Sequence, residues 1–237
     1  MNYSNSIIKN DKKNALTAGV FYIIAAITSI IGFKLYDPVL NNPDYLILGE
    51  KYANQIVLGA FFELILVCTA IGTAIMLYPY LKKYNESWAI GYVCFRMLEA
   101  VFILIGTISV LALINLSILY NTEPNNHNFK TIGAVLQAVH SWTFILGPNF
   151  MLGVNTFIYS YVFFKSNLIP KKIALLGMIA AVLIFIAAIL EMFGVILQIS
   201  PSGILLALPI FSYEMTLAIL LVVKGFNTTE KKTHKLE

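Results

Sequence analysis

Polar residues divide this chain into six long apolar stretches, covering residues 15–33, 56–80, 88–120, 131–164, 173–197 and 203–223. Each is long enough to cross a hydrocarbon core of about 30 Å as a helix, for which 18 or more nearly uncharged residues suffice. Lipid offers no partner for a free backbone amide, so spans of this length must satisfy their hydrogen bonds internally, as helices. The expected class is therefore all-α, a six-transmembrane-helix bundle. The third and fourth stretches hold 33 and 34 residues, about 50 Å each at ~1.5 Å per residue. Helices of that length must tilt, protrude or break. Gly147-Pro148-Asn149 supplies a cause in the fourth, because proline has no amide to donate and clashes with the preceding turn, so a kink is expected near Pro148. Pro209 suggests the same in the sixth.

Lysines sort by connection. Lys9, Lys12, Lys13, Lys82, Lys83, Lys165, Lys171, Lys172, Lys224, Lys231, Lys232 and Lys235 fall at the N-terminus, in alternate loops and in the tail, while only Lys34, Lys51 and Lys130 occupy the other loops. Cytoplasmic loops retain positive charge, so twelve against three places both termini in the cytoplasm. The chain divides into an N-terminal segment (1–14), a six-helix transmembrane domain (15–224) and a cytoplasmic tail (225–237) expected to be disordered. Tyr78, Tyr80, Tyr84 and Trp88 around the second loop, with Tyr159 and Tyr161 near the fourth, suit interfacial belts. The first loop, 34–55, carries Pro38, Asn41, Asn42 and Pro43 and reads as an irregular external loop. His127, in a polar turn, reads as solvated.

Composition agrees: 59% of residues are hydrophobic and 12% charged, about half the charged share of soluble domains. The net charge of +4 forms no basic stripe interleaved with aromatics, which excludes nucleic acid as a partner. Cys68 and Cys94 both fall in apolar stretches and read as packing residues rather than a disulfide framework. The first apolar stretch follows Lys12 and Lys13 as a signal peptide would, but no small-residue cleavage site follows it, so it reads as a retained helix.

Against this background five ionisable side chains lie well inside the stretches: Glu63, Arg96, Glu99, His140 and Glu214. A charged residue at a helix centre costs about 2.5–3.5 kcal/mol on insertion scales, so five facing lipid are hard to sustain and most should face the bundle interior. Arg96 and Glu99 are three apart and share a face with Ile103 and Gly106. Counted at ~1.5 Å per residue from the Lys-rich side, Arg96 lies about 12 Å deep, Glu99 about 16 Å and Glu214 about 15 Å, one common level. Glu63 and His140 form a second level nearer the opposite side. Together the five are expected to line a polar cavity, in which Glu63, an interior carboxyl with no partner, is expected to be neutral; the alternative is that Arg96 with Glu99 and Glu214 is only a structural pair fixing register. Glu191, near the end of its stretch, reads as interfacial. Gly177, Ala181 and Ala188 recur at helical spacing and read as packing positions.

Metalloprotease, α/β-hydrolase, Walker, dinucleotide and EF-hand motifs are all missing from the sequence. Two imidazoles inside the spans would be needed for bis-histidine haem, and only His140 qualifies, so no cofactor and no metal is expected. Three readings follow. The first is binding, sensing or transport of a small polar or anionic ligand, an ion or a proton, with Arg96 as fixed positive charge, the glutamates as partners or proton carriers, His140 as a switchable donor or acceptor and the Pro148 kink as a hinge; a transporter or sensor of this kind needs a cavity open to water on one side. The second is a membrane-embedded enzyme acting on a lipid or isoprenoid, which needs His140 within reach of a carboxylate in a cavity open sideways to lipid. The third is a structural or accessory subunit, with a closed, salt-bridged interior and an oligomeric partner.

Five segments carry a resemblance over roughly residues 12–225: LTAGVFYIIAAITSIIG, CFRMLEA, AVHSWTFILGPN, LIPKKIALLGMIAA and SYEMTLAILLVVKG. They resemble a bacterial multi-pass membrane family catalogued as domain of unknown function 4386. The resemblance implies a six-helix protein of the bacterial inner membrane, with Arg96, Glu99, His140 and Glu214 at positions where that family looks polar. It implies no activity.

Overall fold

The computed structural model describes residues 3–123 and 128–227, with side chains from residue 11 onward. Regular structure among them is entirely helical. In chain order it comprises α1 (Tyr3–Leu35), α2 (Asp37–Leu40), α3 (Tyr45–Lys51), α4 (Ala53–Tyr84), α5 (Glu86–Thr122), α6 (Asn128–Phe144), a π-helical segment (Ile145–Met151), α7 (Leu152–Ser166), α8 (Lys171–Met192) and α9 (Pro201–Val223). Five of these, α1, α4, α5, α8 and α9, are long and apolar enough to cross a membrane. The fourth apolar stretch is built differently: α6, the π segment and α7 follow one another without a break. None of the three alone has a spanning length, which is why five long helices stand where six were expected. The disturbance expected near Pro148 takes the form of that π segment, a wider turn that tolerates the missing amide. Pro209, by contrast, sits inside an unbroken α9.

The lysine-rich ends of the helices meet at one end of the bundle. There the Tyr80 hydroxyl donates to the Asp11 carbonyl at 3.0 Å, Phe226 lies 4.2 Å from the Tyr80 ring centroid, and the Asn227 amide donates to the Leu168 carbonyl at 2.8 Å. At the opposite end the Gln137 side chain donates to the Val39 carbonyl at 2.6 Å and Asn121 to the Glu50 carboxylate at 2.6 Å.

The first loop is more ordered than its composition suggests. It folds into α2 and α3 because Pro38 suits a first helical turn, and because Tyr45, Leu46 and Val39 have an apolar surface to cover, joining Ile56, Val110 and Leu113 in one cluster. Ser117 of α5 anchors it: its hydroxyl donates to the Leu46 carbonyl at 2.6 Å and accepts from the Glu50 amide at 2.7 Å. Gly49 lets the two helices approach, since a Cβ there would lie 2.7 Å from the Ser117 Cβ. Ser117→Ala is expected to cost about 0.5–1.5 kcal/mol by removing the hydrogen bonds that tie α3 to α5. Thermal unfolding in detergent checks this, and an unchanged midpoint would show that α3 does not depend on this hydroxyl.

Two expectations are corrected. Cys68 and Cys94 are exposed rather than packed; both face out of the bundle, where a thiol tolerates lipid as a small apolar group does. Tyr80 and Tyr159 are fully buried rather than interfacial: Tyr80 finds the Asp11 carbonyl, and Tyr159 joins other buried rings around Arg96. His127 and most of the tail (228–237) lie outside the described residues.

Two large apolar cores hold the bundle, with a small cluster of Val67, Ala100 and Ile103 between α4 and α5. One core, at the lysine-rich end, joins Tyr22, Leu77, Tyr92, Tyr159, Ala180 and Tyr213 from six elements; the other, at the opposite end, involves α2 to α6 and neither α8 nor α9. Between them the helices do not close.

Candidate functional site

On α5 the residues at 96, 99, 103 and 106 share one buried face, as helical spacing requires. Glycine at 106 brings the next span close: a Cβ there would lie 2.7 Å from the Thr143 hydroxyl. Gly147 does the same one turn on, seating the π segment against Phe102 and the Glu99 carbonyl. The close-set backbones exclude lipid from this face.

Arg96 and Glu99 are 3% and 5% exposed and form a direct ion pair. Nη1 of Arg96 donates to Glu99 Oε2 at 2.9 Å and Oε1 at 3.2 Å, and Nε donates to the Ala70 carbonyl of α4 at 3.3 Å. Asn155 of α7 donates to Glu99 Oε2 at 2.6 Å. One charge pair thus ties three helices together through charge-assisted hydrogen bonds. Nη2 makes no hydrogen bond among the described residues.

Glu214 of α9 lies close enough to Arg96 and Glu99 to interact electrostatically with both, yet forms no ion pair with Arg96 within 4 Å. Its Oε1 is buried without a hydrogen-bond partner among the described residues. Around this level stand four buried tyrosines. The guanidinium carbon of Arg96 lies 6.0 Å from the Tyr22 ring centroid, and Tyr159 has Tyr22, Tyr92 and Tyr213 at 6.4, 5.3 and 6.1 Å, centroid to centroid. Ser160 donates to the Tyr213 hydroxyl at 2.8 Å. Among the described residues the hydroxyls of Tyr22, Tyr92 and Tyr159 have no hydrogen-bond partner, although the rings neighbour one another.

Glu63 and His140 occupy the other level, separated by Tyr36. The His140 ring meets the Tyr36 ring edge-on at 6.0 Å and that of Phe144 at 6.4 Å. The Glu63 carboxylate lies against Gly32 of α1, where a Cβ would come within 2.6 Å of Oε1. Neither side chain joins an ion pair or side-chain hydrogen bond among the described residues.

A single cavity of about 570 Å³ connects the two levels, and Glu63, Arg96, Glu99, His140 and Glu214 all line it. Glu191 lines it too. The interfacial reading of Glu191 is thereby corrected: it is 8% exposed and accepts from Asn149 Nδ2 at 2.7 Å. Asn149 sits in the π segment, so the irregular turn is what aims an amide at α8. Asn149, Asn155 and Gln198 were not anticipated. The argument that polar groups in lipid must face inward applies to amides as well as charges, and would have found the two asparagines.

The cavity wall is incomplete on one side. Ile30 of α1, Ile199 before α9, and Ile204 and Phe211 on α9 line the cavity and yet are 44–60% exposed. An apolar side chain that is both lining and this exposed marks a gap in the wall. The gap lies between α1 and α9 in the half away from the lysine-rich end; nearer that end Gly19 packs directly on Ala218 and Val222.

No curated protein and no solved structure matches the chain. A family model does match, over residues 17–225, nearly all of the helical bundle with the charge pair, Glu63, His140 and Glu214 inside it. This multi-pass chain therefore belongs to the family described as Domain of unknown function (DUF4386).

Proposed function

We propose that the protein is a ligand-binding membrane protein, of the sensing or transport kind, that crosses the bacterial inner membrane six times with both termini in the cytoplasm and takes its ligand into the cavity between the helices. The sixth pass would be the rod made of α6, the π segment and α7, and the clustering of lysines at one end of the bundle supports the orientation. The observation that carries the reading is the cavity itself. A space of about 570 Å³ falls in the range of small-molecule sites, about 300–1,000 Å³. Intramembrane charges lining such a space mark a site more often than a brace.

The two other readings fit less well. A membrane enzyme working through His140 is favoured by the sideways opening of the cavity, but it also needs a carboxylate beside the imidazole, and His140 has aromatic neighbours instead. A purely structural subunit needs a closed interior. The Pro148 π segment, bordering the cavity, is a natural place for the backbone to give when a ligand arrives.

Native mass spectrometry of protein extracted in mild detergent tests the reading. Wild type is expected to carry a bound non-protein mass, and Ala207→Trp, which fills the cavity from α9, is expected to lose it while melting normally. A wild type free of any bound mass, together with Ala207→Trp that is stabilised as a filled void would be, overturns it.

A further inference from the structure

Resting on the cavity reading, we infer that the ligand is an amphipathic organic cation, drawn from the lipid through the gap between α1 and α9 and held by the carboxylates of the cavity, Glu214 first.

Charge decides the sign. The cavity walls carry four carboxylates, Glu63, Glu99, Glu191 and Glu214, against Arg96 and Lys34. Neither cation is free to answer the others: Arg96 is committed to Glu99 at 2.9 Å, and Lys34 to Asp37 at 2.6 Å. Glu63 and Glu191 have no cation near them, and Glu214 has only the more distant influence of an Arg96 already bonded to Glu99. An anion brought into this space would find no free cation to pair with, while a cation would find carboxyl groups that can give up a proton to pair with it, and between close opposite charges in a low-dielectric setting such interactions are strong. The buried Oε1 of Glu214, with no hydrogen-bond partner, is an acceptor waiting for a donor. A protonated amine meets that need with a hydrogen bond, and a quaternary ammonium or phosphonium centre, which has no donor, pairs with the carboxylate by charge alone.

The rest of the wall describes the rest of the ligand. Phe33, Tyr36, Phe144 and Phe211 present aromatic rings, which attract cations through their faces. Most other wall residues are aliphatic, suited to a hydrocarbon body. A bare metal ion fits poorly, because among the described residues no three His, Cys, Asp or Glu side chains are grouped to hold one; the carboxylates are spread along the cavity. Access follows from the exposed lining residues Ile30, Ile204 and Phe211, since a wall gap made of isoleucine and phenylalanine faces acyl chains rather than water.

Equilibrium dialysis of the purified full chain in nanodiscs, corrected for empty nanodiscs, tests this with two ions of nearly the same shape and opposite charge, tetraphenylphosphonium and tetraphenylborate. Saturable binding of the phosphonium alone, weakened about tenfold by Glu214→Gln, is the expected result. Glu63→Gln serves as a second variant, and the comparison of the two ions on wild type needs no variant at all. Equal or preferred binding of the borate, or phosphonium binding indifferent to both substitutions, overturns the inference. Binding of neither ion also overturns it. In that case a bound mass still seen on wild type by native mass spectrometry leaves the cavity reading standing, and its absence removes both.

Discussion

Arg96→Ala is expected to destabilise the protein by about 3–5 kcal/mol, the range for breaking a buried ion pair by removing one partner. The loss comes from what stays behind. Glu99 is 5% exposed, and without the guanidinium it keeps only the Asn155 amide at 2.6 Å, too little for an ionised carboxylate shielded from water. Ala70 also loses its contact from Nε. The double variant Arg96→Met with Glu99→Gln is expected to be markedly more stable than Arg96→Ala alone, because no uncompensated charge remains while the volume is largely kept. Thermal unfolding in a single detergent, run on both variants and wild type, measures the difference. If Arg96→Ala melts with wild type, the pair contributes nothing to the fold; if the double variant is as damaged as the single one, packing rather than charge explains the loss. Ligand binding separates the roles further, since a pair that only braces the helices would leave the ratio of phosphonium to borate binding untouched in the double variant.

Much of this level was legible before any coordinates. The spacing of Arg96 and Glu99 places them on one helical face, and counting residues inward along two helices puts Glu214 near them; the geometry does bring the three together, with Arg96 and Glu99 bonded and Glu214 as an electrostatic neighbour. What was not legible has a common cause. These helices are apolar nearly all round, so hydrophobic periodicity does not tell the face toward the bundle from the face toward lipid. Cys68, Cys94 and Tyr159 were misassigned for that reason, and only packing reveals that Tyr159 is enclosed while the cysteines are not. Glu191 failed differently. Its distance from the helix end suggested an interface, but its burial depends on Asn149, which reaches it only because Pro148 sits in a π turn. A feature made by backbone irregularity in one span cannot be inferred from the periodicity of another. The same limit hid α3, whose order comes from a serine on α5, 71 residues from the carbonyl it binds.

Gly19→Ala is the substitution expected to act at the closed end of the α1–α9 contact. A Cβ at position 19 would lie 2.7 Å from the Ala218 carbonyl oxygen and 2.8 Å from Val222 Cγ2. The valine can turn aside; the backbone carbonyl cannot without moving α9. Overpacking of this kind costs about 1–3 kcal/mol, more than the several tenths to about 1 kcal/mol that alanine gains over glycine inside a helix. Gly91→Ala on α5 is the control, for its Cβ would find nothing nearer than 3.9 Å and should leave the protein as stable or slightly more so. Equal melting of the two variants would show that α1 and α9 are not pressed together at Gly19. The functional consequence follows from geometry, because α1 and α9 touch at this glycine and part beyond it around the cavity. Prising them apart at the closed end shifts the helix that carries Glu214 relative to Arg96 on α5. Phosphonium binding by Gly19→Ala is therefore expected to weaken even at temperatures where the protein stays folded, while Gly91→Ala binds as wild type does.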